Sequence, residues 1–296
     1  MPLPPPSRYQ TFCTVSALEG GRLNLPQYLV LDNGVPGLVE ELPSLCFLLH
    51  HSSRSERFLL DLGILRDLSG YSPRLQTLIS NQIFSSNVPQ DSIESLAKGN
   101  LSPDDIDYVC LSHVHWDHTA DTHAFKKSTF VVTNASKQLL QKGYPEDTES
   151  LYMSNLLPAD RTRCLPDQDW RPIGPFPRSY DFYGDGSLYI VDSPGHVGGH
   201  INILARTSSD GGWIFLAADS AHNWALITGD SHINVGAPWD PNFCFHNDVE
   251  KAAEHISHIA ALSKLPRVRV VLAHDGPWYE NNKNGQAFWP GHIESF

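Results

Sequence analysis

Cysteine is scarce in this chain, and its few thiols are widely scattered. The 296 residues include five cysteines, and no two of them form a CxxC pair. This number and spacing argue against a disulfide framework and against a zinc site built from cysteine. Cys46 and Cys110 lie inside apolar runs and are expected to be buried thiols.

The sequence also lacks a long apolar run and an excess of positive charge. No segment approaches the ~20 apolar residues of a membrane span, and the opening MPLPPPSRYQ has no apolar core of a secretory signal. We therefore expect a cytoplasmic protein in which the proline-rich residues 1–8 form a short extended arm. The net charge of -12 argues against a nucleic-acid partner, because basic residues must displace the counterions of a polyanion. A small neutral substrate fits this negative net charge better than a polyanion does. A docking surface whose local charge differs from the net charge is the alternative.

Short apolar segments separated by Gly, Pro and Asn dominate the chain, and helical patterns stand between groups of them. Because the sequence contains neither repeats nor low-complexity linkers, it predicts a single domain over 1–296. A domain of this length can bury a sizeable core. Residues 143–186 are rich in Pro, Asp and Tyr and are predicted to be a loop-rich insertion. The order of the segments predicts an α/β sandwich of two sheets covered by helices. Strands are predicted at 9–18, 23–32, 44–51, 57–63, 106–113, 129–133, 187–192, 200–206, 213–219 and 267–274, and helices at 73–84, 88–99, 134–143 and 248–263.

Within the segment SHVHWDHTAD, residues 112–121, six consecutive positions hold three histidines and an aspartate. His113 and His115 follow a predicted strand, and residues two apart in an extended chain point to the same side, so both can converge on one ion. Asp117 and His118 lie at the following turn, where they can face a second ion ~3.5–4 Å away. Imidazole and carboxylate ligands suit zinc. The alternative is a solvated histidine-rich loop.

Three more polar residues each follow a separate apolar strand. They are His196, Asp219 and His274. Side chains at strand ends, aimed at one rim of a sandwich, are held by a rigid scaffold. Glycines on both sides of His196 would let the backbone turn tightly there.

These motifs together resemble those of the metallo-β-lactamase superfamily. HVHWDH, SPGHVGGH, AAD and AHD occur in that family's order and context, and LLDLG at 59–63 is similar to its second strand motif. The resemblance covers roughly residues 40–275. It implies an αββα sandwich of two mixed β-sheets flanked by helices, with two metal ions per chain. Zinc is the expected metal, and manganese, iron or cobalt would suit the same ligands.

The resemblance also implies a ligand for each position around the two ions. The first ion would be held by His113, His115 and His196, the second by Asp117, His118 and His274, and Asp219 would bridge them. Asp61 is expected either to orient a ligand histidine or to be a structural residue at a strand end.

Within that superfamily the chain most resembles the N-acyl homoserine lactone hydrolases, the quorum-quenching lactonases. The supporting features are the spacing of the motifs, the PGHxxGH phrase and a substantial insertion before the metal motif. The resemblance implies that hydroxide bridging the two ions opens a lactone ring, with Asp117 or His222 as proton carrier. Those lactonases have a tyrosine where this chain has His222, whose N–H could donate to the developing oxyanion. A solvent-facing His222 is the alternative.

Other activities of the same superfamily stay open to different degrees. A thioesterase of the glyoxalase II kind would need basic residues for glutathione, and the C-terminal region shows no cluster of them. A phosphodiesterase is disfavoured by the charge balance. A polyketide-pathway thioesterase or another ester or lactone hydrolase has nearly the same chemistry. A binding module that had lost catalysis is disfavoured, because the candidate ligand set is complete. For an apolar acyl chain, the predicted cleft walls are Leu78, Ile83, Phe84, Tyr152, Met153 and Leu156.

The remaining histidines are interpreted as unrelated to the metal site. His255 and His258, three apart on a predicted helix, are taken as a solvated face. Five others have no second ligand at a convincing spacing, namely His123, His200, His232, His246 and His292.

Overall fold

The computed structural model describes residues 2–80 and 84–296. The described residues form thirteen β-strands and seven α-helices, together with several 3-10 turns. The strands are β1 (Cys13–Pro26), β2 (Val39–His51), β3 (Arg57–Leu60), β4 (Ser86–Asn87), β5 (Tyr108–Cys110), β6 (Thr129–Val132), β7 (Thr162–Cys164), β8 (Arg171–Ile173), β9 (Phe176–Asp181), β10 (Leu188–Asp192), β11 (Ile201–Arg206), β12 (Trp213–Leu216) and β13 (Val268–Val271). The helices are α1 (Gln27–Val30), α2 (Pro73–Ser80), α3 (Ser92–Ala97), α4 (Asn134–Leu140), α5 (Trp224–Thr228), α6 (Val249–Leu262) and α7 (Gly276–Asn282).

The strands are arranged in two mixed sheets. One sheet has seven strands in the order β4-β1-β2-β3-β5-β6-β7, and the other has six in the order β13-β12-β11-β10-β9-β8. Strands β3, β5, β6 and β7 run parallel, as do β12 and β13, and the remaining pairs are antiparallel. This topology is the predicted sandwich of two mixed sheets.

Both faces of each sheet are apolar, so the molecule has three packed layers of hydrophobic side chains. Phe47 and Leu60 of the first sheet pack against Ile203 of the second sheet in the central layer. On the outer face of the second sheet, Ile259 of α6 packs on Phe215. The outer face of the first sheet is covered in a third cluster that includes residues of α3. These four layers of secondary structure confirm the predicted αββα sandwich.

The direction of each strand determines the edge of the sheet at which the polar residues that follow it lie. Parallel strands β3 and β5 end at the same edge of the first sheet. In the second sheet β10 and β12 are each antiparallel to β11, and β13 is parallel to β12, so all three end at one edge. Side chains that follow these five strands are therefore delivered to one rim.

Some sequence predictions differ from the structure. The predicted strand over 23–32 is wrong in its second half, because β1 continues to Pro26 and then gives way to the short helix α1. A short apolar run fits a buried helical turn as well as a strand, and periodicity cannot distinguish them. The loop-rich segment 143–186 contains the three short strands β7, β8 and β9. The predicted helix over 73–84 is confirmed from Pro73 to Ser80 as α2, and residues 81–83 of that prediction lie outside the described residues.

Several features outside the rim agree with the sequence analysis. All five cysteines are free thiols, and Cys46 and Cys110 are fully buried as expected. Arg206 is buried, stacks on Trp213 at 4.1 Å and donates to the carbonyl of Pro4 at 2.7 Å, which ties the N-terminal arm to the second sheet. None of the helices in the described ranges has the length and apolar character to cross a membrane. That the whole chain forms one domain stays a prediction.

Candidate metal centre

The seven side chains that the sequence analysis singled out as metal ligands lie together at the rim. They form two groups, each with its ligand atoms within 4.8 Å of one another. The first group is His113, His115, His196 and Asp219, and the second is Asp117, His118, Asp219 and His274. Asp219 belongs to both groups.

The two carboxylate oxygens of Asp219 face different histidines. Oδ2 lies 3.8 Å from His113 Nε2 and 3.5 Å from His196 Nε2. Oδ1 lies 3.2 Å from both His118 Nε2 and His274 Nε2. A carboxylate with one oxygen toward each group is the geometry of a ligand that bridges two ions.

Several buried nitrogen and oxygen atoms of this centre have no hydrogen-bond partner in the protein. A bound cation would satisfy them. His113 Nε2, His118 Nε2 and Asp219 Oδ1 are buried, and none has a partner. Leaving a buried polar atom unpaired costs ~1–3 kcal/mol each. Imidazole and carboxylate donors are the set that zinc and similar ions bind, so the residues present fit two divalent ions.

The carboxylates dominate the electrostatics of the second group. Burial by itself would lower the pKa of His118 and His274. Despite that burial, Asp219 and its neighbouring carboxylates raise the pKa of His118 well above its usual range. Asp219 and Asp117 likewise overcome burial and raise the pKa of His274 to about 10. Both rings therefore hold protons that a bound cation would displace.

Burial dominates in the first group instead. It places the pKa of His113 and of His196 well below the usual range, with the neighbouring imidazoles contributing in the same direction. Burial also lowers the pKa of His115 to about 4. These rings are neutral at physiological pH, and neutral imidazole is the form that binds a metal.

Hydrogen bonds on the far side of the rings orient them. His118 Nδ1 donates to Asp61 Oδ2 at 2.9 Å, and Asp61 also accepts from the backbone N–H and hydroxyl of Ser112, each at 2.7 Å. His274 Nδ1 donates to the carbonyl oxygen of Pro43 at 2.8 Å. An outer partner of this kind sets the ring tautomer and directs the other nitrogen inward. Asp61 therefore contacts the candidate ligand His118 directly. This contact agrees with the expectation that Asp61 orients a ligand histidine.

The backbone takes unusual conformations next to the candidate ligands. Asp61 has φ +59° and Ala218, which precedes Asp219, has φ +43°. Non-glycine residues in this region are strained, and such strain concentrates at functional sites. Gly195 has φ +126°, and a Cβ there would collide with Ala252 of α6, so this position beside His196 requires glycine.

A buried polar network lies behind Asp219, and sequence reasoning missed it. The backbone N–H of Asp219 donates to His200 Nε2 at 3.2 Å, and His200 Nδ1 donates to the carbonyl oxygen of Ser193 at 3.1 Å. The interpretation of His255 as a solvated residue is wrong, because it is buried and contacts Asn202 Oδ1 at 2.8 Å. The three-residue spacing of His255 and His258 does not show that a sheet packs against this side of α6.

A cavity of about 230 Å³ opens onto the candidate metal centre. Leu78 and Phe84 line it as predicted, whereas Ile83 lies outside the described residues. Wall residues that the sequence did not predict include Leu23, Leu25, Leu75, Ile79, Leu151, Phe243, Phe245 and the polar Asn247. Outside the centre, the described lining is thus mostly apolar, with Asn247 as a polar residue.

The prediction that Tyr152, Met153 and Leu156 line this cavity is wrong, although their neighbour Leu151 in the loop region does line it. Tyr152, Met153 and Leu156 line a neighbouring cavity of about 470 Å³ instead. Trp116 borders both cavities and packs edge-on against Tyr71 at 6.0 Å.

His222 lies at the boundary between the cavity and the candidate metal centre. It is 5% exposed, so the solvent-facing alternative is wrong, and its Nε2 lies 3.3 Å from Asp219 Oδ2. His246 is buried beside it, with ring centroids 5.3 Å apart. No partner for His246 is evident from the sequence, because the residues that it contacts come from distant segments.

Comparisons with known proteins agree with this architecture. The metallo-hydrolase mfmC of Annulohypoxylon moriforme is 29% identical over 196 residues, which is 64% of this chain and 51% of that protein. The gamma-lactamase FDB1 of Fusarium pseudograminearum is 31% identical over 191 residues, covering 61% of this chain and 45% of that protein. The chain spans 32% to 51% of the length of the first curated relatives that it matches.

A solved structure and a family model extend the comparison to most of the chain. An N-acyl homoserine lactone hydrolase with the product N-hexanoyl-L-homoserine at its catalytic metal centre superposes with a TM-score of 0.70. The match covers 97% of this chain and 100% of that chain at 19% identity, and it shows the fold. The model of the metallo-beta-lactamase superfamily matches residues 42–256. The chain belongs to the metallo-beta-lactamase superfamily.

Proposed function

We propose that this chain is a metal-dependent hydrolase that opens a lactone ring. The observation that carries the proposal is the position of Asp219, whose two oxygens face two separate groups of histidines at the floor of an apolar cavity. In this proposal, zinc occupies both positions. The first ion is held by His113, His115 and His196, the second by Asp117, His118 and His274, and both by Asp219.

When bound, two divalent ions would polarise a carbonyl group and lower the pKa of a coordinated water from ~15.7 toward ~7. The chain's own residues would then position the substrate and move protons. Asp117 and His222 both line the cavity. We assign His222 the donation of an N–H hydrogen bond to the developing oxyanion, in the place where related lactonases have a tyrosine. Asp117 is the proposed carrier of a proton to the leaving oxygen.

The cavity favours a neutral substrate with an apolar substituent. Among its described lining residues there is no lysine or arginine, and most of the wall is leucine, isoleucine and phenylalanine. A phosphodiester or a glutathione thioester would bring negative charge that this wall does not compensate. An N-acyl lactone brings an uncharged ring and an apolar chain, and the solved relative with N-hexanoyl-L-homoserine supports this substrate class.

A second candidate is the opening of a γ-lactam, favoured by the name of the related gamma-lactamase. The chemistry differs in the leaving group, because an amine must be protonated as it departs whereas an alkoxide leaves more readily. An acid at the position of His222 or Asp117 serves either reaction. A thioesterase or another ester hydrolase would use the same groups.

A matched panel of substrates tests the proposal. It would contain an N-acyl homoserine lactone, the γ-lactam with the same acyl chain, a glutathione thioester and bis(p-nitrophenyl) phosphate. We expect the lactone to have the highest kcat/KM and the phosphodiester the lowest. Asp219→Ala should abolish all turnover, whereas Asp107→Ala, an exposed position at a turn near Arg57, should not change it. Faster turnover of the lactam or the phosphodiester than of every lactone would refute the proposed substrate class. The cytoplasmic location stays a prediction.

A further inference from the structure

Two buried histidines next to the candidate dinuclear centre belong to neither of its ligand groups. His222 and His246 lie with His196, and one ring nitrogen of each residue falls within 4.8 Å of those of the other two. The three side chains are 2% to 5% exposed. They come from three separate segments, so tertiary packing alone brings them together.

The spacing of the three rings matches that of the neighbouring candidate ligands. The ring centroids of His196, His222 and His246 are 5.1, 5.2 and 5.3 Å apart. Those of His113, His115 and His196 are 4.5, 4.7 and 4.9 Å apart. Both triangles are therefore of a size that lets three imidazoles point a nitrogen at one common ion.

Each of the three rings also carries an unsatisfied nitrogen. Nδ1 of His196, of His222 and of His246 is buried, and none of them has a hydrogen-bond partner. Buried polar atoms are nearly always paired, so an unpaired nitrogen on each of three neighbouring imidazole rings needs an explanation. A shared ligand that accepts nitrogen lone pairs supplies one.

We propose that His196, His222 and His246 form a third site, for a divalent transition-metal ion that prefers imidazole ligands, such as Zn²⁺. The Nε2 atom of His196 lies 3.5 Å from Asp219 Oδ2 and 2.9 Å from His115 Nδ1, whereas its Nδ1 atom has no partner. The same Asp219 oxygen, 3.3 Å from His222 Nε2, partly offsets the added positive charge. His196 and His222 border the cavity, which leaves an open coordination position for water.

The third site rests on the proposed function in one respect, since it shares His196 with the proposed first ion. For that reason we expect the third ion to bind more weakly than the other two. An ion held by His222 would occupy the part of the cavity where the substrate carbonyl is proposed to lie. Excess zinc should therefore inhibit hydrolysis.

The test counts bound zinc in the purified whole chain. Metal-free protein would be dialysed against increasing Zn²⁺ and analysed for bound metal, for the parent, for His246→Phe and for the control His292→Phe at an exposed position. We expect three ions for the parent and the control and two for His246→Phe, in line with the three clusters of ligand atoms. Inhibition by excess zinc should be lost only in His246→Phe. His246→Asn, checked by circular dichroism, replaces this variant if it does not fold.

The outcomes separate the two proposals. Saturation at two ions in both the parent and His246→Phe overturns the third site and leaves the dinuclear centre intact. Three ions in both proteins also overturns it, because His246 would then not be a ligand. A parent that binds no zinc overturns the dinuclear centre as well.

Discussion

Replacing Asp61 with asparagine should weaken metal binding without unfolding the protein. Asp61 does not belong to either ligand group, yet its Oδ2 accepts the Nδ1 hydrogen of His118 at 2.9 Å. An asparagine can keep one oxygen toward the backbone N–H of Ser112. Its amide NH₂ would then face His118 Nδ1 and donate to it. The proton of His118 would have to move to Nε2, the atom that faces Asp219.

The expected size of this effect follows from the role of the hydrogen bond. Loss of an outer partner of a ligand histidine typically weakens metal binding ~10–100-fold, or about 1.4–2.8 kcal/mol. The fold should tolerate the change, because asparagine is nearly isosteric and is among the residues that most readily accept the positive φ of position 61. We therefore expect one ion to be weakened and the other to be retained.

Competition with a chromophoric chelator measures the two dissociation constants. The parent, Asp61→Asn and the control Asp107→Asn would be titrated under identical conditions, and thermal unfolding in the presence of chelator would report the stability of each metal-free protein. Asp107 is exposed and accepts from the backbone N–H of Arg57, so it offers the same substitution away from the rim. Equal affinity of the parent and Asp61→Asn for both ions would refute the role of Asp61. A metal-free Asp61→Asn that unfolds at a much lower temperature would show a structural role instead.

Four further predictions test other parts of the centre. Protein purified without chelator should contain at least two transition-metal ions per chain, and Asp219→Ala should lose them and its turnover, as elemental analysis and the lactone assay would show. Zinc uptake near pH 8 should release protons, and zinc affinity should weaken as the pH falls, because His118 and His274, whose pKa values are raised, must give up their protons. Calorimetry in buffers of different ionisation enthalpy measures this release, and its absence would contradict the proposed second ion. His222→Phe should lower kcat ~10²–10³-fold with a smaller effect on KM, since it removes a donor to the oxyanion; a change in KM alone would indicate a binding role. Phe245→Ala should raise KM for long acyl chains more than for short ones, by ~1–3 kcal/mol in binding free energy, and equal effects on both would show that the chain binds elsewhere.

Local patterns in the sequence were enough to predict much of the fold and the site. The HxHxDH spacing is a property of consecutive residues, so it was visible without any knowledge of the tertiary structure. His196, Asp219 and His274 could be found because each follows an apolar strand, and strand ends in an α/β sandwich face a common rim. The two layers of helices followed from the order of strand and helix patterns.

Contacts between distant segments could not be predicted in the same way. The cavity walls come from β1, α2 and residues 243–245, and no local pattern indicates that these segments face each other. His246 and His255 were misjudged for the same reason, since burial depends on what packs against a residue. The short strands β7, β8 and β9 exist because they extend sheets whose other strands lie elsewhere in the chain.

The sequence by itself thus indicated the seven candidate metal ligands and most of the strands, because both depend on residue type and near-neighbour spacing. Only the tertiary structure decided that Asp219 faces both groups of histidines, that Asp61 contacts His118, and that His222 and His246 lie next to His196 beside the centre. Those facts depend on strand direction and on the packing of one sheet against the other, which place atoms within a few ångströms although their residues are far apart along the chain.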